Sequence, residues 1–213
     1  NNLIEKNQII DSRDMVAWYS NKNIFRDNLG RRSRYSIHFM FAKDSVVECN
    51  SFHDNAVGVY LMYTERIHVR NNIISHATGA TGMGLGFKES SDSEIENNEI
   101  IYCAVGVGSD LSPFEPDTTI LFRNNRFAFN GIGILFNSEV GGNNRVDNVF
   151  EGNLTQVSYG GRSGSTPRNW RCRKICRPAC SGAVPTSSPR AGAWKPPGTT
   201  STPPGRNSSR TSA

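Results

Sequence analysis

The chain alternates short apolar runs with polar corners at a regular spacing. Within a run, apolar and other side chains alternate with a period of two, which indicates strands with one buried face. In most units an apolar residue stands three positions before an Asn, and these pairs are Ile4/Asn7, Phe25/Asn28, Val47/Asn50, Val69/Asn72, Ile95/Asn98 and Phe122/Asn125. A looser copy ends at Asn148, with Arg145 in the apolar place. The Asn residues are spaced by 21, 22, 22, 26, 27 and 23 positions, so the pattern predicts a repeat protein.

Periods of this length are typical of solenoids, and the apolar runs are β-branched rather than leucine-dominated. We therefore predict an all-β fold, a right-handed parallel β-helix with coils of about 22–27 residues. The Asn at one corner of each coil is expected to adopt the left-handed backbone and to hydrogen-bond along the stack. The longer coils place their extra residues in predicted loops at 76–82 and 109–119.

Composition divides the chain near residue 161. Residues 163–213 hold nine of the 24 Lys and Arg residues, eight of the ten Pro and no Asp or Glu. The preceding residues hold 15 basic and 19 acidic side chains, so the net charge of +5 does not indicate nucleic-acid binding. We predict a β-helix domain over residues 1–161 and a disordered tail over 162–213, whose composition is typical of out-of-frame translation.

The ends of the chain and its apolar runs give two further expectations. The repeat is already under way at Asn1, so we expect a fragment that lacks its true N-terminus and its C-terminal cap. A membrane-spanning helix needs about 18 or more apolar residues in succession, and the sequence has no such run. The protein is therefore not expected to span a membrane itself.

Soft metal ligands align in two neighbouring units. Residues 35–40 (YSIHFM) recur 22 positions later as residues 57–62 (VGVYLM). If Ile37 and Phe39 point inward, His38 and Met40 lie on the outer face, because side chains alternate along a strand. The same alternation places Met62 on the outer face of the next strand, about 4.8 Å from Met40.

This arrangement predicts a metal site on the outside of the solenoid. Thioether sulfur suits Cu(I), and imidazole suits copper and zinc. We define the soft-ligand patch as His38, Met40 and Met62. Met83 and His76 of the next coil are predicted to lean over the patch as further ligands, with Gly84 and Gly86 leaving space beside it. The alternative is structural, because a shift of one residue in register would bury both Met side chains as core filling.

Two other clusters contain residue types that occur in functional sites. Glycan cleavage needs paired acids across a groove, and the candidates are Asp110, Glu115 and Asp117 in one loop, with Asp44 and Glu65 elsewhere. Nothing distinguishes them from ordinary turn acids, and the Asp-Pro-His-Asp signature of the alginate epimerases, which share the β-helix fold, is absent. The tail has a C-x3-C-x3-C pattern that fits no usual zinc or iron–sulfur spacing.

Five segments in order carry a resemblance to a known family: RRSRYSIHFMFA (31–42), NAVGVYLMYT (55–64), HATGATGMGLGFKESSD (76–92), YCAVGVGSDLSPFEPDTT (102–119) and GNLTQV (152–157). With them the chain resembles the NosD family of nitrous oxide reductase maturation proteins, which are periplasmic copper-handling β-helices. The resemblance covers residues 10–161. Past residue 161 the chain departs from the family's Gly-rich, then aromatic and Asp-rich, continuation.

The resemblance implies a periplasmic accessory protein that binds and transfers copper without catalysing a reaction. The implied partners are an ABC-type ATPase and permease complex and nitrous oxide reductase, whose copper centres receive the metal. Copper is the implied cofactor, for which the thioether donors favour Cu(I), and the matching segments contain Met40, Met62, Met83 and His76. Two alternatives stay open: a carbohydrate-active β-helix enzyme acting on a uronate polymer, and an adaptor that docks its partners without binding metal.

Overall fold

The computed structural model describes residues 1–138, 141–160 and the backbone of 162–163. In these residues the chain winds into a parallel β-solenoid of about seven turns, without a helix. The predicted all-β parallel β-helix is therefore confirmed. The predicted disordered tail lies outside the described residues, apart from the backbone of 162–163.

Each complete coil contributes one short strand to each of three sheets. The first sheet contains β1 (Leu3–Glu5), β4 (Ile24–Arg26), β7 (Val46–Glu48), β10 (His68–Arg70), β13 (Ser93–Glu96), β16 (Ile120–Arg123) and β19 (Asn143–Val146). The second contains β2 (Gln8–Ile10), β5 (Leu29–Arg31), β8 (Ser51–His53), β11 (Ile73–Ser75), β14 (Glu99–Ile101), β17 (Arg126–Ala128) and β20 (Val149–Glu151).

The third sheet has the longest strands and carries the predicted metal ligands. It contains β3 (Asp14–Trp18), β6 (Tyr35–Met40), β9 (Val57–Met62), β12 (Met83–Lys88), β15 (Val105–Asp110), β18 (Ile132–Phe136), β21 (Thr155–Tyr159) and β22 (Arg162–Ser163). All of these pair in parallel except β22, which runs antiparallel to β21. Equivalent residues of successive coils are therefore lateral neighbours.

The core is a column of inward side chains inside the three sheets. On β6 and β9, Ile37, Phe39, Val59 and Leu61 are all fully buried, as the alternation predicts. Phenylalanines fill the interior, and Phe25 meets Phe39 edge-on with ring centroids 5.2 Å apart. Burial of this apolar surface stabilises the coils and fixes which residues of the third sheet face outward.

The repeated Asn residues form a hydrogen-bonded ladder at the corner between the first and second sheets. Asn72, for example, donates from Nδ2 to Oδ1 of Asn98 at 3.0 Å and to the carbonyl of Val47 at 2.9 Å. Its own Oδ1 accepts from the backbone N–H and Nδ2 of Asn50, both at 2.9 Å. The ladder prediction is confirmed in its hydrogen bonds. Its backbone prediction is wrong by one position, because the left-handed residue precedes each ladder Asn, as at Asn71 with φ of 57°.

A second, shorter ladder lies at the corner between the second and third sheets. Asn130 donates from Nδ2 to Oδ1 of Asn153 at 2.9 Å, and Asn55 accepts from the backbone N–H of Ser33 at 2.9 Å. These contacts hold successive strands of the third sheet in register. No helix of the described residues is long and apolar enough to cross a membrane.

Candidate metal site

The register of β6 against β9 brings the soft-ligand patch together. Met40 lies directly opposite Met62, and His38 lies opposite Tyr60. Because Ile37 and Phe39 are buried on the inner face, these four side chains project from the outer face. The register shift that would have buried both methionines is therefore excluded by the structure.

His38 and Met62 are already in contact. Nε2 of His38 lies 3.2 Å from Sδ of Met62, while both methionines stay partly exposed. Two ligands of one metal ion with bonds of about 2.0 Å to nitrogen and 2.3 Å to sulfur lie about 3.5–4 Å apart. An ion between His38 and Met62 therefore requires only a small separation of the two side chains, with Met40 adjacent as a third donor.

Two tyrosines enclose the His38 ring. Its centroid is 4.8 Å from that of Tyr35 and 5.7 Å from that of Tyr60, and the tyrosine rings stack on each other at 5.5 Å. Burial lowers the pKa of His38 below its ordinary value of 6.5, against a smaller raising effect of Asp14. The imidazole is therefore neutral at pH 7, which is the form that binds a metal ion.

The Tyr60 ring packs against Gly86 of the neighbouring strand. A Cβ at Gly86 would lie 2.5 Å from Cε2 of Tyr60 and closer still to Cδ2. Gly84 faces inward, where a Cβ would meet the side chain of Ile100. The prediction that Gly84 and Gly86 leave open space beside the patch is therefore wrong, because a tyrosine covers one and the core occupies the other.

Met83 lies on the same sheet but its sulfur is turned away from the patch. Its backbone is opposite Val57 and Val105. Its Sδ packs over Gly108, only 2.5 Å from the position that a Cβ of that residue would take. Gly108 is three strands from His38, a separation of roughly 14 Å at about 4.8 Å per strand. Met83 therefore does not lean over the patch, because its side chain fills the bare surface of the next coil.

His76 is also separate from the patch. It occupies the corner before β12 with a left-handed backbone, φ of 58°, and it is exposed. Its ring stacks on Tyr102 at 5.2 Å, and its Nδ1 lies 3.0 Å from Oγ of Ser75. Met40 and Met62 are the last residues of their strands, whereas His76 precedes the first residue of β12. His76 therefore lies at the opposite end of the third-sheet strands, on a different surface.

The candidate acids for glycan cleavage are spread over the molecule. Arg66 contacts both Asp44 and Glu65, and the Asp44 bond lowers the pKa of that carboxyl. Glu115 and Asp117 line an open recess of about 450 Å³ in the loop after β15, and Asp110 lies opposite Lys88. Among the described residues, no group of three or more His, Cys, Asp and Glu is placed to hold a metal ion. A metal ion at the soft-ligand patch would therefore need the thioether sulfurs as ligands.

Sequence reasoning missed an aromatic stack next to the patch. Tyr19, Phe41 and Tyr63 occupy the corner that follows β3, β6 and β9, with centroids 4.8 and 4.7 Å apart and nearly parallel planes. Each directly follows the last residue of a third-sheet strand, and two of them follow Met40 and Met62. The recurrence of an aromatic residue immediately after Met40 and Met62 is the signal that could have revealed the stack.

Comparison with known proteins gives one family and one fold. The family model described as "Periplasmic copper-binding protein (NosD)" matches residues 1–175, which extends past the boundary predicted at residue 161. No curated protein sequence matches the chain. The matched residues contain all five predicted metal ligands.

Among solved structures, the chain is similar to the periplasmic alginate epimerase AlgG, with 14% identity and a TM-score of 0.55. A mutant of that protein gives 13% identity and a TM-score of 0.54. Each similarity covers 74% of this chain but only 39% of the solved chain. At these identities the likeness concerns the β-helix fold alone.

Proposed function

Because this chain belongs to the NosD family of periplasmic copper-binding proteins, we propose that it binds Cu(I) at the soft-ligand patch and delivers it during assembly of nitrous oxide reductase. The observation that carries the proposal is the 3.2 Å contact of His38 Nε2 with Met62 Sδ, beside the pairing of Met40 with Met62. Two neutral donors are thus in contact on the outer face, and a third, Met40, lies on the strand position opposite Met62.

The donor set favours Cu(I) over other ions. Thioethers are soft ligands, whereas Zn²⁺ sites in proteins use thiolate, imidazole and carboxylate. No carboxylate or thiolate is part of the patch, so harder divalent ions gain little there. The flanking rings of Tyr35 and Tyr60 restrict water around His38 and leave the methionine edge accessible.

The same features suit transfer rather than permanent storage. A site with three neutral ligands holds its ion less tightly than a thiolate site, and both methionines are partly exposed. A partner's ligand can therefore reach the ion from outside and displace the thioethers one at a time. Delivery needs such stepwise exchange, since a fully enclosed ion would leave only when the coil opened.

The partners are proposed from the family alone. An ABC-type ATPase and permease complex would work with the protein in the periplasm, and nitrous oxide reductase would receive the copper. The adaptor alternative shares these partners but needs no copper at the patch. Ligand variants distinguish the two, because delivery requires the patch and docking does not.

The binding test is an anaerobic Cu(I) competition titration on the whole chain, after accessible thiols have been alkylated. Met40→Leu and Met62→Leu conserve side-chain volume and remove one sulfur each, so each should weaken binding about tenfold or more, equivalent to about 1.4 kcal/mol. Met83→Leu is the matched control and should bind like the wild type. Equal binding by all four proteins would refute the patch as a Cu(I) site.

The delivery test compares copper loading of the reductase with partner binding. In cells that carry Met40→Leu/Met62→Leu in place of the wild type, the reductase should contain less copper while the transporter still co-purifies with the variant. Normal copper content in the reductase would favour the adaptor alternative. Loss of transporter binding would show that the patch serves docking, contrary to the proposal.

A further inference from the structure

Two further imidazoles, one on the second sheet and one at the corner that follows it, lie close together. His53 of β8 is opposite Ser75 of β11, and His76 follows Ser75 directly. Nδ1 of His53 lies 2.7 Å from Oγ of Ser75, and Nδ1 of His76 lies 3.0 Å from the same oxygen. Two ring nitrogens thus approach one hydroxyl oxygen, which can donate to one ring and accept from the other.

Both rings are held in place from their other sides. Nε2 of His53 bonds to Oγ of Ser51 at 2.5 Å, and metal-binding histidines are commonly oriented in this way through their second nitrogen. His76 is fixed by its stack on Tyr102, which in turn stacks on Phe129 at 5.2 Å. The site is therefore preorganised without any ion.

The charges around the pair are balanced. Asp54, next to His53, forms an ion pair with Arg31 at 3.1 Å. The carboxylate next to His53 in the sequence is therefore already paired with a guanidinium.

We infer that His53 and His76 form a second metal site, for a divalent ion that prefers imidazole nitrogen. Cu(II) is the ion of choice, because among first-row divalent metals it binds nitrogen donors most tightly. Ligands bound to one ion at about 2.0–2.1 Å and at right angles to each other lie about 2.8–3.0 Å apart, and the two Nδ1–Oγ distances are 2.7 and 3.0 Å. The Ser75 hydroxyl and water complete the coordination.

This site differs in chemistry from the soft-ligand patch and does not depend on it. It contains no sulfur, and its nitrogen and oxygen donors suit Cu(II), whereas the thioethers of the patch suit Cu(I). The two groups also lie on different sheets of the solenoid. The inference therefore goes beyond the proposed function and stands or falls separately from it.

The test is a Cu(II) titration of the whole chain, followed by electron paramagnetic resonance, after accessible thiols have been alkylated. Wild type should bind one Cu(II) with nitrogen hyperfine structure from imidazole. His53→Gln and His76→Gln should each weaken binding more than tenfold, and Ser51→Ala by about 10- to 100-fold, the usual effect of losing an orienting partner. His68→Gln, on the first sheet, is the control and should leave the spectrum unchanged.

The outcomes separate this site from the patch. Met40→Leu/Met62→Leu should retain Cu(II) binding, and loss of binding in that variant would overturn an independent site. Absence of Cu(II) binding by wild type would overturn it as well, as would full binding by both His53→Gln and His76→Gln. Circular dichroism on each variant confirms that an altered titration does not reflect unfolding. His76 is exposed at a corner, so His76→Gln should disturb the fold less than His53→Gln.

Discussion

Gly86 offers a way to disturb the soft-ligand patch without touching a ligand. The Tyr60 ring lies against this glycine, and a methyl group placed there would be 2.5 Å from Cε2 of the ring. Carbon atoms pack at about 3.5–4.0 Å, so Gly86→Ala must displace the ring by about 1 Å or more. Since Tyr60 flanks His38, we predict that this displacement loosens the orientation of His38 toward Met62.

The size of the effect follows from the role of an orienting neighbour. Loss of such a partner typically weakens metal binding by about 10- to 100-fold, which corresponds to about 1.4–2.7 kcal/mol. The cost to stability should be near the low end of the about 1–3 kcal/mol typical of overpacking, because the ring is at the surface and can yield. The free energy of Cu(I) binding should therefore weaken by more than the free energy of unfolding.

The assay measures Cu(I) affinity and urea unfolding of Gly86→Ala beside Gly108→Ala. Gly108 is also an outer-face glycine of the third sheet, and a Cβ there would meet the flexible end of Met83, with Sδ at 2.5 Å. Gly108→Ala should bind Cu(I) like wild type. The reasoning would be refuted if folded Gly86→Ala also bound Cu(I) like wild type, or if both variants lost affinity equally.

Three further predictions concern the scaffold. Asn72→Ala leaves the N–H of Asn50 and the carbonyl of Val47 without their ladder partner. At about 1–3 kcal/mol for each buried orphan group, it should destabilise the protein by about 2–6 kcal/mol. Urea unfolding should show a much smaller loss for Asn7→Ala at the exposed end, and equal losses would argue against the ladder. Phe41→Ala removes two stacked contacts and should cost about 1–3 kcal/mol, more than Phe114→Ala outside the stack, in the same assay. Burial raises the pKa of the Cys103 thiol to about 11, so Cys103 should resist N-ethylmaleimide at pH 8 until urea unfolds the chain, and rapid labelling of the native protein would contradict this.

The repeat made most of the fold predictable. An apolar residue three positions before an Asn sets both a core position and a corner, and the period of two then determines which face each strand residue takes. The placement of Met40 beside Met62 follows from these two rules, because equal coil lengths of 22 residues keep β6 and β9 in register.

Side-chain direction and corner geometry were not predictable in the same way. Met83 and Gly108 are on different strands, and only the missing Cβ of Gly108 lets the thioether lie there. His76 lies at a corner with a left-handed backbone, where strand alternation no longer applies. Its approach to His53 depends on a hydrogen bond through Ser75, which no spacing in the sequence reveals.

The central claim is that Cu(I) binds sulfur from Met40 and Met62 together with nitrogen from His38. X-ray absorption at the copper edge tests this most directly, on thiol-alkylated protein loaded with one equivalent of Cu(I). The account predicts sulfur and nitrogen neighbours for wild type and Met83→Leu, and loss of the sulfur shell in Met40→Leu/Met62→Leu. A wild-type spectrum with nitrogen and oxygen neighbours alone, or a sulfur shell that survives the double substitution, would contradict it.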